Sequence, residues 1–411
     1  MPVDLNRRAL LRGSLLLATA GALVSCSAPV GAGAVPSPTA GSPTADAIPV
    51  PVLGSSRPQR VPSYGPNGTH YPEELPWLGD EAALELVAEC DWVDIARKVQ
   101  SLDAATVAAG VVIRVKPGTL PGSGSGSSAR PVLAGVGNAG WSRNVLICPL
   151  EGFGSITTAA GGIRFDQCAR MSFFGLHSAG AFTMTRCVSL QVGWSRFDGM
   201  SITRGARDVG LYELVLGFRR HADDTAGVRP TESFEMTGIA RHGCVFGPSV
   251  KPDGSTAHCD TIQFEGTGTG PFGPVSSVDC VDYGSSNAAE LLQDRLIRAD
   301  YDHCMVLGGQ LPWRVYPLHE GDYRGDPNAF AGGCQDVRLN DCIVVGAVGR
   351  MGFTQVHEST LSYAPVATQQ PRDSGRWRVD SASSGWSAAE IMSRQSIPDY
   401  EIDTLRRIWA W

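Results

Sequence analysis

Residues 257–266 read AHCDTIQFEG, and His258, Asp260 and Gln263 within them carry groups that take up, release or orient a proton. If Ile262 and Phe264 form the inward side of a strand, Gln263 faces outward, while His258 and Asp260 fall in the turn or strand start just before it. Two later segments, GSSNAAELLQD (284–294) and DYDHCMVLGG (300–309), supply Asn287, Glu290, Asp302 and His303. Aligning Ile262 with Leu291 or Leu292 and then with Val306 gathers these four around His258 and Asp260. An imidazole beside carboxylates can serve as base or acid. Asp260 and Glu290 together offer oxygen ligands for a hard cation such as calcium. A one-residue slip of register would turn each of these side chains to the other face, and the alternative reading of the same residues is a polar exterior without chemistry.

The elements that must position them are legible from a repeat. IRFDQCARMSF from Ile163 and FTMTRCVSLQV from Phe182 place Ile163, Phe165, Cys168, Met171 and Phe173 in step with Phe182, Met184, Cys187, Leu190 and Val192, nineteen residues on. The next step gives Ser201, Thr203, Ala206, Val209 and Leu211; far downstream, VRLNDCIVVGA repeats the pattern as Val337, Leu339, Cys342, Val345 and Ala347. Upstream, Val145, Cys148 and Phe153 occupy three of the five places. Short alternating runs recurring about every 20 residues predict a solenoid of stacked coils, each completing its neighbour's core. Equivalent side chains then form ladders at about 4.8 Å, with Cys148, Cys168, Cys187 and Cys342 expected in one row. Parallel side chains at that spacing sit outside ordinary disulfide geometry, so buried free thiols are expected. No CxxC or CxxH pair suggests a metal site.

Composition agrees with a large apolar core: 43% of the 411 residues are hydrophobic, 18% are charged, and 49 glycines allow many tight turns. A formal charge of -7, with only three lysines (Lys98, Lys116, Lys251), argues against a nucleic-acid partner. At the N-terminus, NRRALLRGSLLLATAGALVSC sets Arg7 and Arg8 before an apolar run from Leu15 to Val24, too short for a stable membrane helix. It resembles a twin-arginine export signal, and Leu23-Val24-Ser25-Cys26 resembles a bacterial lipobox. Residues 1–26 are therefore expected to be a signal peptide with Cys26 the lipidated residue, and 27–62 a flexible Pro/Ser/Thr/Ala-rich tether. The mature protein would be exported and anchored by lipid to the outer face of the cytoplasmic membrane, or secreted. In DWVDIARKVQSL, Asp91 is an N-cap and Trp92, Ile95, Val99 and Leu102 form one apolar stripe. This helix, within 63–104, is expected to cover the open end of the first coil. Residues 105–365 are assigned to the solenoid, and 366–411 to a C-terminal cap or wrapping tail.

The body, read this way, resembles the right-handed parallel β-helix of pectate-lyase-like proteins, an all-β fold. His258-x-Asp260-x-Ile262-Gln263 is similar to a motif of bacterial β-helix proteins of polysaccharide metabolism. The likeness implies an acidic polysaccharide partner. It departs from polygalacturonase-like hydrolases, in which Asn-Thr-Asp-Gly-x-Asp, an Asp-Asp pair and Gly-His-Gly occur: Asp260 matches the first aspartate, Gln263 replaces the second, and of the pair in SVDC only Asp279 remains. Pectate-lyase Arg-x-Pro-x-x-Arg is absent too. With an incomplete carboxyl set, β-elimination is the favoured chemistry over hydrolysis. It needs a base for the C5 proton, a cationic group for the uronate carboxylate, and an acid for the leaving oxygen. His258 or His303 could be the base, with Arg219, Arg220 or a calcium ion on Asp260 and Glu290 as neutraliser. Gln263, Arg219, Arg220 and Trp313 are the substrate-binding candidates, and Trp313 and Tyr316 could stack on sugar rings. RRHADD (219–224) reads as a solvated loop, and Glu320, Asp322 and Asp326 in PLHEGDYRGDP as a loose cation loop. The rival is a non-catalytic glycan-binding or cell-envelope protein using the same face.

Overall fold

The computed structural model describes residues 82–124, 129–151, 154–159, 161–217, 219–311, 328–366, 369–386 and 390. Cys26, Phe153, Trp313, Tyr316, Glu320, Asp322 and Asp326 lie outside them, as do the signal, the tether and most of the tail.

The chain winds as a right-handed parallel β-helix, the hand that twisted parallel strands favour in their crossovers. Each regular coil contributes three short strands. One coil has Asp260–Phe264, Val275–Val278 and Val281–Tyr283; the next has Ala288–Leu292, Ala299–Asp302 and Met305–Leu307. Each strand pairs in parallel with its counterpart one coil on. The pairings build one 18-stranded sheet that holds the first two faces, an 11-stranded sheet for the third, and a two-stranded patch. In the strands Phe182–Gly193 and Met200–Tyr212 the first two faces run on without a break. Between the second and third strands the chain turns through one left-handed residue per coil. Gly175, Trp194, Glu213, Gly243, Asp279, His303, Asp341 and Glu358 fill that place, with φ from 46° to 82°.

The interior is laid down by alternation. Cys168 and Cys187 stack on adjacent coils, since Val188 pairs with Ala169, and their thiols donate to the carbonyls of Asp166 and Thr185. The row continues through Ala206 and Met236. In the third coil of the repeat the expected Ser201 and Thr203 give way to Met200 and Ile202, which pair with Phe182 and Met184; an irregularity between Thr185 and Cys187 absorbs the slip, and Ala206, Val209 and Leu211 hold their places. Two cysteines leave the expected row. Val145 pairs with Met171, which places Cys148 beside Phe174 and Trp194 in a small separate cluster. Cys342 stacks on Cys304, itself above Cys280 and Cys244, in a second row that also holds Leu176 and Leu214. The two strands of a coil share the same inward alternation, so the template matched either one. Among the described residues every cysteine is a free thiol, nine of the ten buried.

Helix α1, Trp92–Gln100, forms as its cap predicts: the Asp91 carboxylate accepts from the Asp94 N–H, and Trp92, Ile95 and Val99 are buried. The Trp92 ring stands edge-on to Phe165 and Phe173, with centroids 5.5 and 6.3 Å away, covering the mouth of the core. A strand precedes it, Leu84–Ala88, in register with Val111–Val115. A second short helix, α2 (Ala104–Ala109), follows. The paired strands end at Trp377–Val379. None of the described helices is long and apolar enough to cross a membrane.

Candidate functional site

The corner between the third strand of one coil and the first strand of the next is where the coils lengthen. In the tight coils hydrogen-bonded neighbours such as Ser172 and Gln191 lie 19 residues apart; Asp224 and Asp260 are 36 apart and still meet. Most of the added residues form loops at this corner, the rest lying between the first and second strands at 231–235 and 265–274. Arg219–Arg220 pairs with Ser249–Val250 in the two-stranded patch, so the RRHADD loop and the loop that carries His258 lie side by side.

Three aspartates occupy the same rung of successive coils. Met200 pairs with Ala226 and Ala226 with Ile262, and two residues before each stand Asp198, Asp224 and Asp260. The Asp260 N–H donates to Asp224 Oδ1 at 2.8 Å. Asp260 is fully buried; its Oδ1 accepts from Asn287 Nδ2 at 2.7 Å and its Oδ2 from Gln263 Nε2 at 3.3 Å. Gln263 Oε1 in turn accepts from Arg229 Nε and Nη2 at 3.2 and 2.9 Å, and the same guanidinium grips Asp224. Burial pushes the Asp260 carboxyl up to about 6; the hydrogen bonds from Asn287 and Gln263 pull against the rise, and the neighbouring Asp224 adds to it. Asp224 is raised too, first by burial.

Arg219 ties the upstream end together, with Nη1 2.9 Å from Asp198 Oδ2 and Nη2 on Asp223 and on the Asp224 carbonyl. It is a clamp between coils, only 11% exposed at its side chain. Arg220 is open to solvent, 3.7 Å from Asp253. Exposed His221 has Nδ1 2.9 Å from Asp223 Oδ1, an imidazole oriented by a carboxylate. His258 is exposed on the facing loop, one residue before Cys259, whose thiol reaches the His221 carbonyl. Asp260, Gln263, Asn287, Arg219, Arg220 and His258 are thus brought to one corner. Asp198, Asp223, Asp224, His221 and Arg229 join them without having been singled out. The signal for the aspartates was present: Asp198-Gly-Met200, Asp224-Thr-Ala226 and Asp260-Thr-Ile262 each set an aspartate two residues before an inward apolar residue.

Glu290 and His303 go elsewhere. Ile262 pairs with Glu290 instead of Leu291, and that slip turns Glu290 into the solenoid interior. There Glu290 Oε1 accepts from Arg241 Nη2 at 3.1 Å and Oε2 from the Tyr301 hydroxyl, while Arg241 also binds Asp282 at 2.7 Å and Ser277 at 3.0 Å. Burial works against the Arg241 charge, but Asp282 and Glu290 outweigh it. Burial, then repulsion by Asp282, pushes the Glu290 carboxyl well above its ordinary value, with the Arg241 guanidinium pulling against the rise. Asp260 and Glu290 therefore belong to separate networks. Among the described residues no group of three His, Cys, Asp or Glu could hold a metal ion, and the pair expected to bind calcium does not fit one.

His303 lies at the other corner, in the left-handed position after the second strand. Its Nδ1 is 2.5 Å from Asp279 Oδ1 and its Nε2 3.7 Å from Asp341 Oδ2. Asp302 accepts there from Asn340 at 2.8 Å. A cleft of about 460 Å3 beyond Asp341, lined by Glu358, Thr360, Arg376 and Trp377, opens on that side. It is larger than the cavity beside Asp198 (about 340 Å3).

No protein-family model matches the sequence, and no curated protein matches it significantly. Among solved structures, the chain is similar to pectate lyase Pel9A, with a TM-score of 0.38 and 12% identity over 76% of this chain and 82% of that one. It is also similar to an alginate lyase from Paenibacillus sp. str. FPU-7 (TM-score 0.38, 12% identity, 73% and 99% of the chains) and to ORF18 of Geobacillus virus E2 (0.36, 9%, 66% and 60%). The parallel fold rests on the strand registers of the chain itself.

Proposed function

We propose that this protein acts on an acidic polysaccharide at the Asp198–Asp224–Asp260 corner, by β-elimination in preference to hydrolysis. The observation that carries the reading is Asp260, a buried carboxyl titrating near 6 and linked through Gln263 to a half-exposed arginine. Burying an ionisable group without an ion-pair partner costs stability, and a carboxyl matched to neutral pH suits proton transfer. Arg229, with Arg220 beyond it, neutralises the uronate carboxylate and so favours loss of the C5 proton. His221, steadied by Asp223, accepts that proton as the C4–C5 double bond forms and the C4–O4 bond breaks, and solvent at this exposed corner protonates the leaving oxygen; His258 on the facing loop is the other imidazole within this corner. Asp260, through Gln263, fixes the guanidinium of Arg229 and sets its local charge. That makes it a positioning residue.

A second reading, glycan binding without turnover, is favoured by one fact: Asp260 has no exposed surface. A panel of acidic and neutral polysaccharides, with unsaturated uronides and new reducing ends measured separately, divides the two. Elimination yields unsaturated ends on a uronate polymer, lost in His221→Ala and reduced in Asp260→Asn, whose residual turnover no longer changes with pH near 6. Inert wild-type protein that still binds the polymer would establish the second reading.

We also propose that the chain is exported and held by lipid at Cys26. Cys26→Ser should release it from the membrane fraction; retention there would sink the anchor.

A further inference from the structure

On the third face, outward residues form a row across the coils: Thr119, Thr157, His177 and Arg196 in successive register. The next rungs of the same row are Val215, Val245, Val281 and Met305, all buried. The fold accepts valine at this place, so neither His177 nor Arg196 is demanded by the coil. These two line a cavity of about 340 Å3 together with Thr157, Thr158, Ser178 and Asp198. Asp198 is also the first member of the aspartate ladder, tied to Arg219 at 2.9 Å. The cavity therefore opens directly onto the upstream end of the proposed site. Its volume lies at the small end for ligand pockets, and its lining suits one sugar ring: hydroxyls and a carboxylate for ring hydroxyls, a guanidinium for an anion. Thr158 donates to Ser178 at 2.6 Å, which fixes the floor. Burial lowers the pKa of His177, with Arg196 as the second cause, so the imidazole is neutral at neutral pH and able to hydrogen-bond a hydroxyl. Burial also weakens the hydration of Arg196 and lowers its pKa, partly offset by Asp198.

We propose that Thr157, His177, Arg196 and Asp198 form a subsite for a carboxylate-bearing sugar ring, one position along an acidic polysaccharide from the ring held at Arg229. The inference rests on the reading of the ligand as an acidic polysaccharide and adds where a second ring sits and which arginine selects its charge. Loss of one charge-assisted contact to a carboxylate corresponds to roughly tenfold or more in affinity.

The test is calorimetric binding of galacturonate, glucuronate and mannuronate trisaccharides, and of their carboxyl-reduced neutral counterparts, to the whole protein. Wild type should prefer at least one uronate trimer over its neutral counterpart. Arg196→Met should weaken that trimer about tenfold or more and reduce the preference, with Arg196→Lys intermediate. Unchanged affinity in Arg196→Met overturns the subsite and leaves the function standing. A wild type without preference for the carboxylate overturns both. Binding that depends on Arg196, in a protein inert on every polymer, supports the subsite and ends only the enzymatic reading. Thermal unfolding of each variant monitors folding. If Arg196→Met does not fold, the His177 ring resonances of wild type decide: they should shift as the trimer is added, and constant shifts would overturn the subsite.

Discussion

Replacing Asp260 by asparagine should make the folded protein more stable at alkaline pH and less useful. In the folded state burial raises this carboxyl from 3.8 to about 6. A raised acid binds its proton more tightly folded than unfolded, so the native state is favoured below about pH 4. That advantage is lost as pH climbs through the window from about 4 to 6. Two pKa units and a fraction correspond to about 3 kcal/mol across the window. The asparagine side chain has no charge to desolvate, but it weakens the contacts with Asn287 and Gln263, at about 1 kcal/mol each. Above pH 7 the variant should therefore gain on the order of 1 kcal/mol over wild type, and below pH 4 it should lose about 2 kcal/mol. Equilibrium urea unfolding of both proteins at pH 4 and pH 8 reads the difference. A stability gap between them that stays constant over this range would refute the assignment of a strained, titrating Asp260. A gap that changes in the stated direction, joined to loss of activity, is the pattern of a residue kept for function at the expense of stability.

The interior network gives a contrasting pair. Arg241→Met leaves Asp282 buried without its cation and should cost about 3–5 kcal/mol, whereas Glu290→Gln, at a carboxyl whose proton affinity burial raises, should cost about 1 kcal/mol; thermal unfolding compares them, and equal losses would contradict the raised pKa assigned to Glu290. The nine buried thiols should be silent to a thiol reagent in native protein and react on unfolding, with no mass change on prior reduction; early reaction of Cys244 or Cys304 would contradict the stacked row. His303→Gln should leave turnover of the polysaccharide within about twofold while lowering thermal stability, because buried Asp279 loses its short hydrogen bond to the imidazole; loss of turnover without loss of stability would move the site to the other corner.

Much of the fold was legible because alternation is local. Cys168 over Cys187, the Asp91 cap and the Trp92 stripe each follow from spacing within a dozen or two residues. Register across long loops was not. Glu290 and His303 lie beyond insertions whose length does not say which strand of the next coil a segment will join. A slip of one place sent Glu290 inside, and membership of the second strand sent His303 to the opposite corner. Cys342 failed for the same reason, since Val337, Leu339 and Cys342 fit either strand template. The aspartate ladder was readable in principle from Asp-x-apolar at three coil starts. Its three members, however, are unequally spaced in the chain, at 198, 224 and 260, and only stacking makes them neighbours. RRHADD read as a solvated loop because the outside partners of Arg219 and Asp224, Asp198 and Arg229, come to it only when the chain folds.

The most direct test is a crystal structure of Asp260→Asn with a bound uronate oligosaccharide. The sugar should lie at the corner from Asp198 to Asn287, its carboxylate against Arg229 and its C5 within reach of the His221 or His258 imidazole. An oligosaccharide seated instead in the cleft beyond Asp341 would contradict it.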